Sequence, residues 1–412
     1  MARQSPLNQS HQQAEASFLP YGQPDAPPGS PATPEPALVV ETFGELEGEY
    51  AALRKGCVIL DLPHRGTLLI EGPDRRDFLN RMLTQELNNL EPLHTSSTLW
   101  LNRKGRIEAD LRLLETGAHI LADLDITVAA STTRSLDSFI ISEDVRVTDV
   151  SERMHRLALH GPAAPKLLDA LAPQQPPAAE LPPGRAAMRS IAGVEVLIDR
   201  HDPTGEPGFD LWVSLEHVPH VYQHILDRGL DAPTLPGTHH GALTARHTGG
   251  FRLRPAGWHA FNIARIEAGT PLFNLDFGPS SLPAETGILD ARVSFTKGCY
   301  LGQEVVARMH SLGHPKQTLV ALRLSEENAQ PGRDTQPITG ARISSPTDPD
   351  RAAVGAVTSS TRSPMLSDAV ICFAQVKWGH HTPGTSLLVE TDAGELPAAV
   401  QPSLTFWKRD AR

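Results

Sequence analysis

Two stretches about ninety residues apart carry the same folding instruction, and together they restrict the chain more than any other feature. Leu68-Leu69-Ile70-Glu71-Gly72-Pro73 is followed by DRRDFLNRML, and Leu157-Ala158-Leu159-His160-Gly161-Pro162 by AAPKLLDAL. Each reads as an apolar strand, a Gly-Pro turn and an amphipathic helix, with proline where its missing N–H costs nothing. Two copies indicate two α+β subdomains of related design; a solenoid needs many short repeats. After about residue 319 the pattern changes to LVALRL, GARISS, AAVGAVTSS, AVICFAQV and TSLLVET, separated by Gly, Pro, Asp and Ser. Short strands without intervening helices predict a small antiparallel barrel. No G-x-G-x-x-G or G-x-x-x-x-G-K loop is present, which leaves a Rossmann or P-loop fold without support.

Residues 1–36 hold eight prolines and five glutamines and little that builds a core, so they are expected to form a disordered tail. Pro173–Gly184 reads as a Pro-rich surface loop, and the polar interval Asn328–Asp350 is expected to set off a C-terminal domain. The formal net charge of −11 argues against a broad electrostatic grip on nucleic-acid phosphates. The cysteines, Cys57, Cys299 and Cys372, lie too far apart for a disulfide framework or a C-x-x-C metal pair, and such sparse usage suits a reducing compartment. With no apolar run of spanning length and no apolar segment behind Arg3, the expected location is the cytoplasm, away from membranes.

Four segments concentrate polar chemistry. Phe295–Glu304 (FTKGCYLGQE) sets Cys299 between two glycines, with Lys297 two positions before it and Gln303-Glu304 after it. A neighbouring ammonium favours the thiolate, the reactive form of cysteine; the same residues also suit a tight turn into a helix starting near Gln303, with Cys299 a small buried hydrophobe. Arg200–Val213 reads as a Gly/Pro turn feeding a strand, with the carboxylates Glu206 and Asp210 close together, or as a plain hairpin entry. Trp258–Pro271 places Phe261, Ala264 and Ala268 at helical spacing, with Arg265 and Glu267 expected on the solvated side. Leu101–Leu111 reads as a charged turn at Gly105 between two strands. His217, His220 and His224 share one side of a helix, but no carboxylate or cysteine completes a metal site, and none is expected.

The octapeptide Lys297–Glu304 resembles the K-G-C-Y-x-G-Q-E motif of the YgfZ-like folate-binding proteins, relatives of the glycine-cleavage T-protein (aminomethyltransferase). DLPHRGTLLIEGPD from Asp61, LNRKGRIEADL from Leu101, TGEPGFDLWV and RIEAGTP follow in the family's order, so the resemblance covers roughly residues 38–405. It implies an α+β fold of three domains around a central folate opening. A first α+β subdomain would be split over 37–145 and 246–318, a second would occupy 146–245, and a C-terminal β-barrel would occupy 319–408. It also implies tetrahydrofolate or a related folate as cofactor.

By the same resemblance, Asp210 corresponds to an acidic folate contact shortened by one methylene, and Phe261 replaces an arginine with a ring that suits a flat pterin. The paired aspartates of the aminomethyltransferases are here Ala109-Asp110. The resemblance assigns Cys299, Lys297 and Asp110 to catalysis, and Phe261, Asp210, Glu206, Arg65, Glu267, Tyr300, Gln303 and Glu304 to cofactor binding. It implies an accessory role in the assembly or repair of iron–sulfur clusters, with iron–sulfur enzymes such as tRNA-modifying radical enzymes as partners and no direct nucleic-acid contact. The alternative is a folate-dependent aminomethyltransferase with Asp110 as its acid/base.

Overall fold

The computed structural model describes residues 3–22, 37–229 and 251–409. The chain begins with α1 (Asn8–Gln13), β1 (Ser17–Tyr21), β2 (Ala37–Thr42), α2 (Leu46–Lys55), β3 (Cys57–Asp61), β4 (Arg65–Glu71) and α3 (Arg75–Met82). Next come β5 (Thr95–Leu101), β6 (Ile107–Glu115), β7 (Ile120–Asp125), α4 (Ile126–Asp137) and β8 (Arg146–Asp149). They are followed by β9 (Met154–His160), α5 (Ala164–Leu171), β10 (Ala186–Ile191), β11 (Val194–Arg200), β12 (Gly208–Ser214) and α6 (Val218–Gly229). Then come β13 (Leu253–Pro255), α7 (Trp258–Glu267), α8 (Leu289–Arg292) and α9 (Gln303–Leu312). The last strands are β14 (Gln317–Leu324), β15 (Arg342–Ser344), β16 (Ala353–Ser363), β17 (Ala369–Lys377), β18 (Ser386–Thr391) and β19 (Gly394–Val400). No helix among the described residues is long and apolar enough to cross a membrane.

The chain divides into two compact units: residues 1–79, 87–96 and 111–261, and residues 80–86, 97–110 and 262–412. In the first unit, a sheet of order β10-β11-β12-β9-β3-β13 is antiparallel except where β13 runs parallel to β3. Both predicted strand–turn–helix repeats are present, as β4–α3 and β9–α5. Their glycines sit at positive φ, +102° at Gly72 and +127° at Gly161. A Cβ there would lie 1.9 Å from the Asp144 carbonyl oxygen or 2.4 Å from that of Gly56, so the turns admit no side chain.

The expected boundaries at 145/146 and 245/246 do not describe the sheets, because β3 and β13 of the expected first subdomain share one sheet with β9 to β12 of the expected second. The physical reason is that Cys57-Val58-Ile59-Leu60 is apolar throughout and buried throughout, the signature of a central strand that needs neighbours on both edges. The disordered tail is also corrected. Leu7 is 1 % exposed in the core, β1 pairs with β2, and His11 Nε2 lies 2.9 Å from Asp61 Oδ2. Tyr21 Oη donates to Asp125 at 2.6 Å. The Pro-rich residues 23–36 lie outside the described residues.

The second unit contains the predicted barrel, closed in the order β14-β17-β16-β15-β18-β19 around Leu322, Ile343, Cys372, Val389 and Leu396. Its sixth strand, β19, carries Pro397, a residue that argues against a strand when read from sequence. The polar interval Asn328–Asp350 does not set the barrel off but lies inside it, carrying β15. Arg265 is corrected from a solvated position: it is 1 % exposed, 2.5 Å from Asp276 and 2.6 Å from Ser359 Oγ.

In the first unit, alternation along β9 sends Leu157 and Leu159 into the core with α5 and α6, and turns Arg156 and His160 to the opposite face. On that face Trp212 and Leu197 pack with Leu114 of β6 and Leu121 of β7. Beside this apolar patch runs a buried charged layer. Arg112 grips Asp199 at 2.5 and 2.7 Å, and Arg65 grips Asp123 at 3.0 and 2.6 Å. Arg156 lies 3.1 Å from Asp123, with its guanidinium 3.2 Å from the Trp212 ring centroid. Burial pushes His160 down to about 4 and His64 down to about 3, so both are neutral in the folded protein.

Removal of residues 1–22 is expected to lower stability by at least about 2 kcal/mol, the burial worth of Leu7 alone, with a further loss because Asp61 and Asp125 each lose a partner. An unchanged thermal midpoint in the truncated protein would contradict the docking of this segment. Stability is also expected to fall as pH drops from about 6.5 to 4. Across that range the unfolded chain protonates His64 and His160 near their ordinary value of about 6.5, while the folded protein does not; each contributes a slope of up to about 1.4 kcal/mol per pH unit. Urea midpoints of His160→Gln should show a shallower acid slope than the parent, and an identical slope would refute the assignment.

Candidate functional site

In the first unit the sequence-predicted residues Asp210 and Phe261 occupy one neighbourhood. The β11–β12 hairpin pairs Arg200 with Phe209 and lays Asp210 opposite Ala158 of β9. Gly208 is required for this: a Cβ there would lie 2.1 Å from the His201 carbonyl oxygen and 2.4 Å from His160 Nδ1. His160 lies between the two predicted residues. Its ring centroid is 6.1 Å from that of Phe261, and Asp210 is the carboxylate that acts most strongly on it. Phe261 also meets Trp258 at 5.7 Å, and both rings line a small cleft shared with His64 and Asp61.

Asp210 differs from the other buried aspartates of this unit. Asp123 and Asp199 are each clasped twice by an arginine, and Asp125 accepts from Tyr21 and Thr127. Asp210 is 6 % exposed, and among the described residues its one hydrogen-bond donor is His201, whose Nδ1 is 3.2 Å from Oδ2. Burial works against its charge. The hydrogen bond and charge of His201, with Arg156 and His160, outweigh that effect and hold the carboxyl well below the usual range. An ionised carboxylate has about four acceptor positions, so Asp210 keeps capacity for an incoming N–H edge. Donors or ring nitrogens without a hydrogen-bond or ion-pair partner among the described residues lie on the same face: Arg156 Nε and Nη1, Trp212 Nε1 and His160 Nδ1. An aromatic face at Phe261, an unfilled acceptor and unused donors suit a flat heterocycle with a mixed hydrogen-bonding edge.

Two other predicted binding residues of this unit have structural work instead. Arg65 is committed to Asp123. Glu206 is 1 % exposed and pairs with buried Arg54 at 3.5 Å, while Arg54 also donates to the Thr204 carbonyl, pinning the turn before β12 to α2.

The second unit brings together two of the polar segments. Gly302, at φ +80°, precedes α9, and a Cβ on it would lie 2.8 Å from the Asn102 carbonyl oxygen and 3.2 Å from Gly105 Cα. A Cβ on Gly105 would meet Val305 Cβ at 2.8 Å. The turn after β5 and the turn before α9 therefore touch backbone to backbone. Cys299 is exposed whereas Cys57 and Cys372 are buried, which corrects the small-hydrophobe reading of Cys299. Burial pushes the Cys372 thiol up to about 12 and raises that of Cys57 further.

Lys297 departs from the role expected of it. Its Nζ donates to the carbonyls of Asn80, Leu83 and Gln85 at 2.6, 2.8 and 2.8 Å, which uses all the N–H bonds an ammonium has. Burial pushes it down to about 8, so at neutral pH it remains mostly protonated and holds the loop after α3. Tyr300, its ring 5.4 Å from that ammonium, is buried and pushed up to about 12 by that burial. Gln303 opens α9, and Glu304 beside it is exposed. Asp110 is gripped by Arg292 at 2.7 and 3.3 Å, a partner the sequence did not single out. Glu267 is fully buried and accepts from Ser363 Oγ at 2.5 Å, so it anchors α7 to β16 rather than facing a ligand.

His160, His201, Arg156 and Arg292 were not assigned to the site by sequence reasoning. The available signal was alternation: in MHRLALH, Arg156 and His160 fall on one face of the strand and Leu157 and Leu159 on the other.

Comparison with known proteins agrees with this architecture. The GCVT N-terminal domain profile matches residues 7–297, beginning inside the segment expected to be disordered, and the glycine cleavage T-protein C-terminal barrel domain matches 317–407. The chain is 27 % identical over 380 residues to an aminomethyltransferase of Halalkalibacterium halodurans, covering 90 % of this chain and 92 % of that one. It is 27 % identical over 370 residues to one of Geobacillus kaustophilus, covering 89 % and 92 %. The crystal structure of the glycine cleavage system aminomethyltransferase T from Bartonella henselae shares the fold, with a TM-score of 0.79 at 20 % identity over the full length of both chains. With 7–297 and 317–407 both matched, the chain belongs to the glycine cleavage T-protein family.

Proposed function

We propose that this protein binds a reduced folate in its first unit and works as a folate-dependent one-carbon transferase of the aminomethyltransferase kind. The observation that carries the reading is the buried, ionised Asp210, with a single donor among the described residues and next to the Phe261 ring by way of His160. A pterin presents a 2-amino-4-oxo edge with N–H donors and one carbonyl acceptor, and a flat ring to stack. Asp210 takes the N–H edge, Phe261 supplies the stacking face, and the unused donors of Arg156 and Trp212 match the carbonyl. Aminomethyltransferases use tetrahydrofolate, which when bound supplies the nitrogens that receive the one-carbon unit. The chain's own part is to hold the ring, keep Asp210 charged and exclude water. In the second unit, the Asp110 carboxylate, the acid/base of this reading, is held through both oxygens by the Arg292 guanidinium.

A second reading rests on Cys299. Its exposure, set against two buried cysteines, makes it the accessible thiol among the described residues. This supports a YgfZ-like accessory role in which Cys299 serves iron–sulfur enzymes and tRNA modification depends on it indirectly. Because Lys297 spends its donors on backbone carbonyls, such a thiol works without a dedicated ammonium beside it.

Calorimetric titration with 5-formyltetrahydrofolate tests the first reading. Asp210→Asn is expected to weaken binding at least about tenfold, the loss of one charge-assisted hydrogen bond. Phe261→Leu should weaken it about fivefold through loss of the ring face. Unchanged affinity in both variants overturns the assignment. The two readings part on activity: Asp110→Ala abolishing one-carbon transfer to tetrahydrofolate favours the transferase. Loss of a cluster-dependent tRNA modification in Cys299→Ala alone, with folate affinity intact, favours the accessory role.

A further inference from the structure

Asp210 sits on a strand with one carboxylate oxygen engaged, and what engages it is a side chain that reaches solvent. His201 leaves the end of β11, its side chain 38 % exposed, and its Nδ1 is 3.2 Å from Asp210 Oδ2. The acceptor is a carboxylate, so Nδ1 carries the proton. That bond removes the carboxylate's rotation about its last side-chain torsion and leaves Oδ1 to face a ligand.

We propose that His201 is the positioning residue of this site: it fixes Asp210 for the N–H edge of a pterin, and its own protonation sets how tightly that edge is held. The inference rests on the reading that Asp210 receives a reduced folate. A neutral imidazole leaves Asp210 its full negative charge for the ligand's donors. An imidazolium neutralises that charge and competes for it, so protonation of His201 and binding of the N–H edge oppose each other. By reciprocity, binding expels the proton.

The other charges around Asp210 are fixed in the relevant pH range. From β9, Arg156 is a guanidinium and His160, at about 4, stays neutral. From β11, Arg200 is paired with Asp202 at 2.6 and 3.1 Å, and Asp199 is clasped by Arg112. Asp210 itself is held ionised. Of this set, His201 is the imidazole whose side chain reaches solvent while touching Asp210.

The test is isothermal titration of the full-length protein with 5-formyltetrahydrofolate, whose own groups keep their charge in this range, from pH 5.5 to 8 in buffers of differing ionisation enthalpy. The parent is expected to lose about tenfold in affinity from pH 7.5 to 5.5, a coupling of about one pH unit, and to release a fraction of a proton on binding near pH 6.5. His201→Ala should bind several-fold more weakly at pH 7.5. His201→Gln, whose amide donates to Asp210 without titrating, should restore most of that affinity and bind with no pH slope and no proton release. A slope that persists in His201→Gln, or unweakened binding in His201→Ala, overturns the role of His201 and leaves the folate reading standing. Absence of binding in the folded parent at every pH overturns both.

Discussion

The first unit depends on Asp123 and the two guanidiniums that meet it. Arg65 comes from β4, which pairs with β7 and β8 in a separate sheet, and Arg156 from β9 of the six-stranded sheet, so a single carboxylate ties the two sheets together. Arg112 of β6 and Asp199 of β11 repeat the tie. Buried ion pairs are weak sources of net stability, because desolvation offsets most of their attraction. Their strength here is in specification. A slip of β9 by one residue would turn Arg156 and His160 into the helix-covered apolar core and Leu157 and Leu159 into the charged layer. No such slip is tolerable with three arginines and two aspartates to satisfy, so the facing of the sheets is set by charge as well as by the adjacent Trp212–Leu114–Leu121 contact.

That constraint also shapes the candidate site. The paired aspartates of that layer are shielded from a ligand, because arginine N–H groups already cover both of their oxygens. Asp210 lies at the end of the layer where the pairing runs out, and takes its one donor from the hairpin that carries it. The pairing that keeps Asp123 and Asp199 inert and the lack of it at Asp210 are parts of one arrangement. They differ only in whether an arginine stands opposite.

Much of this was legible in the sequence, because the signals were local. The Gly-Pro turns at 72–73 and 161–162, the stop at Gly269, the turn at Gly105 and five of the barrel strands depend on residues within a few positions of each other. Asp210 and Phe261 were found through motif resemblance, and the structure places them in one neighbourhood. What failed was non-local. Lys297 looked like a companion to Cys299 because the two are neighbours in sequence, but its ammonium turns to the loop at 80–85. Glu206, Arg65 and Glu267 have partners 58 to 152 residues away, and no spacing rule announces Arg54, Asp123 or Ser363. The tail was misread because its proline-rich half concealed the few apolar residues, Leu7 and Tyr21 among them, that dock the other half.

The contact between Gly105 and Gly302 makes two distant stretches of the gene a single unit of inheritance. Neither turn has room for even a methyl group while the other keeps its course. A substitution at one is acceptable only with a matching retreat of the other. Grafting the octapeptide Lys297–Glu304 onto a relative, or replacing it by a relative's version, therefore has to carry the Asn102–Arg106 turn with it, or the transplanted thiol will lead into a displaced helix.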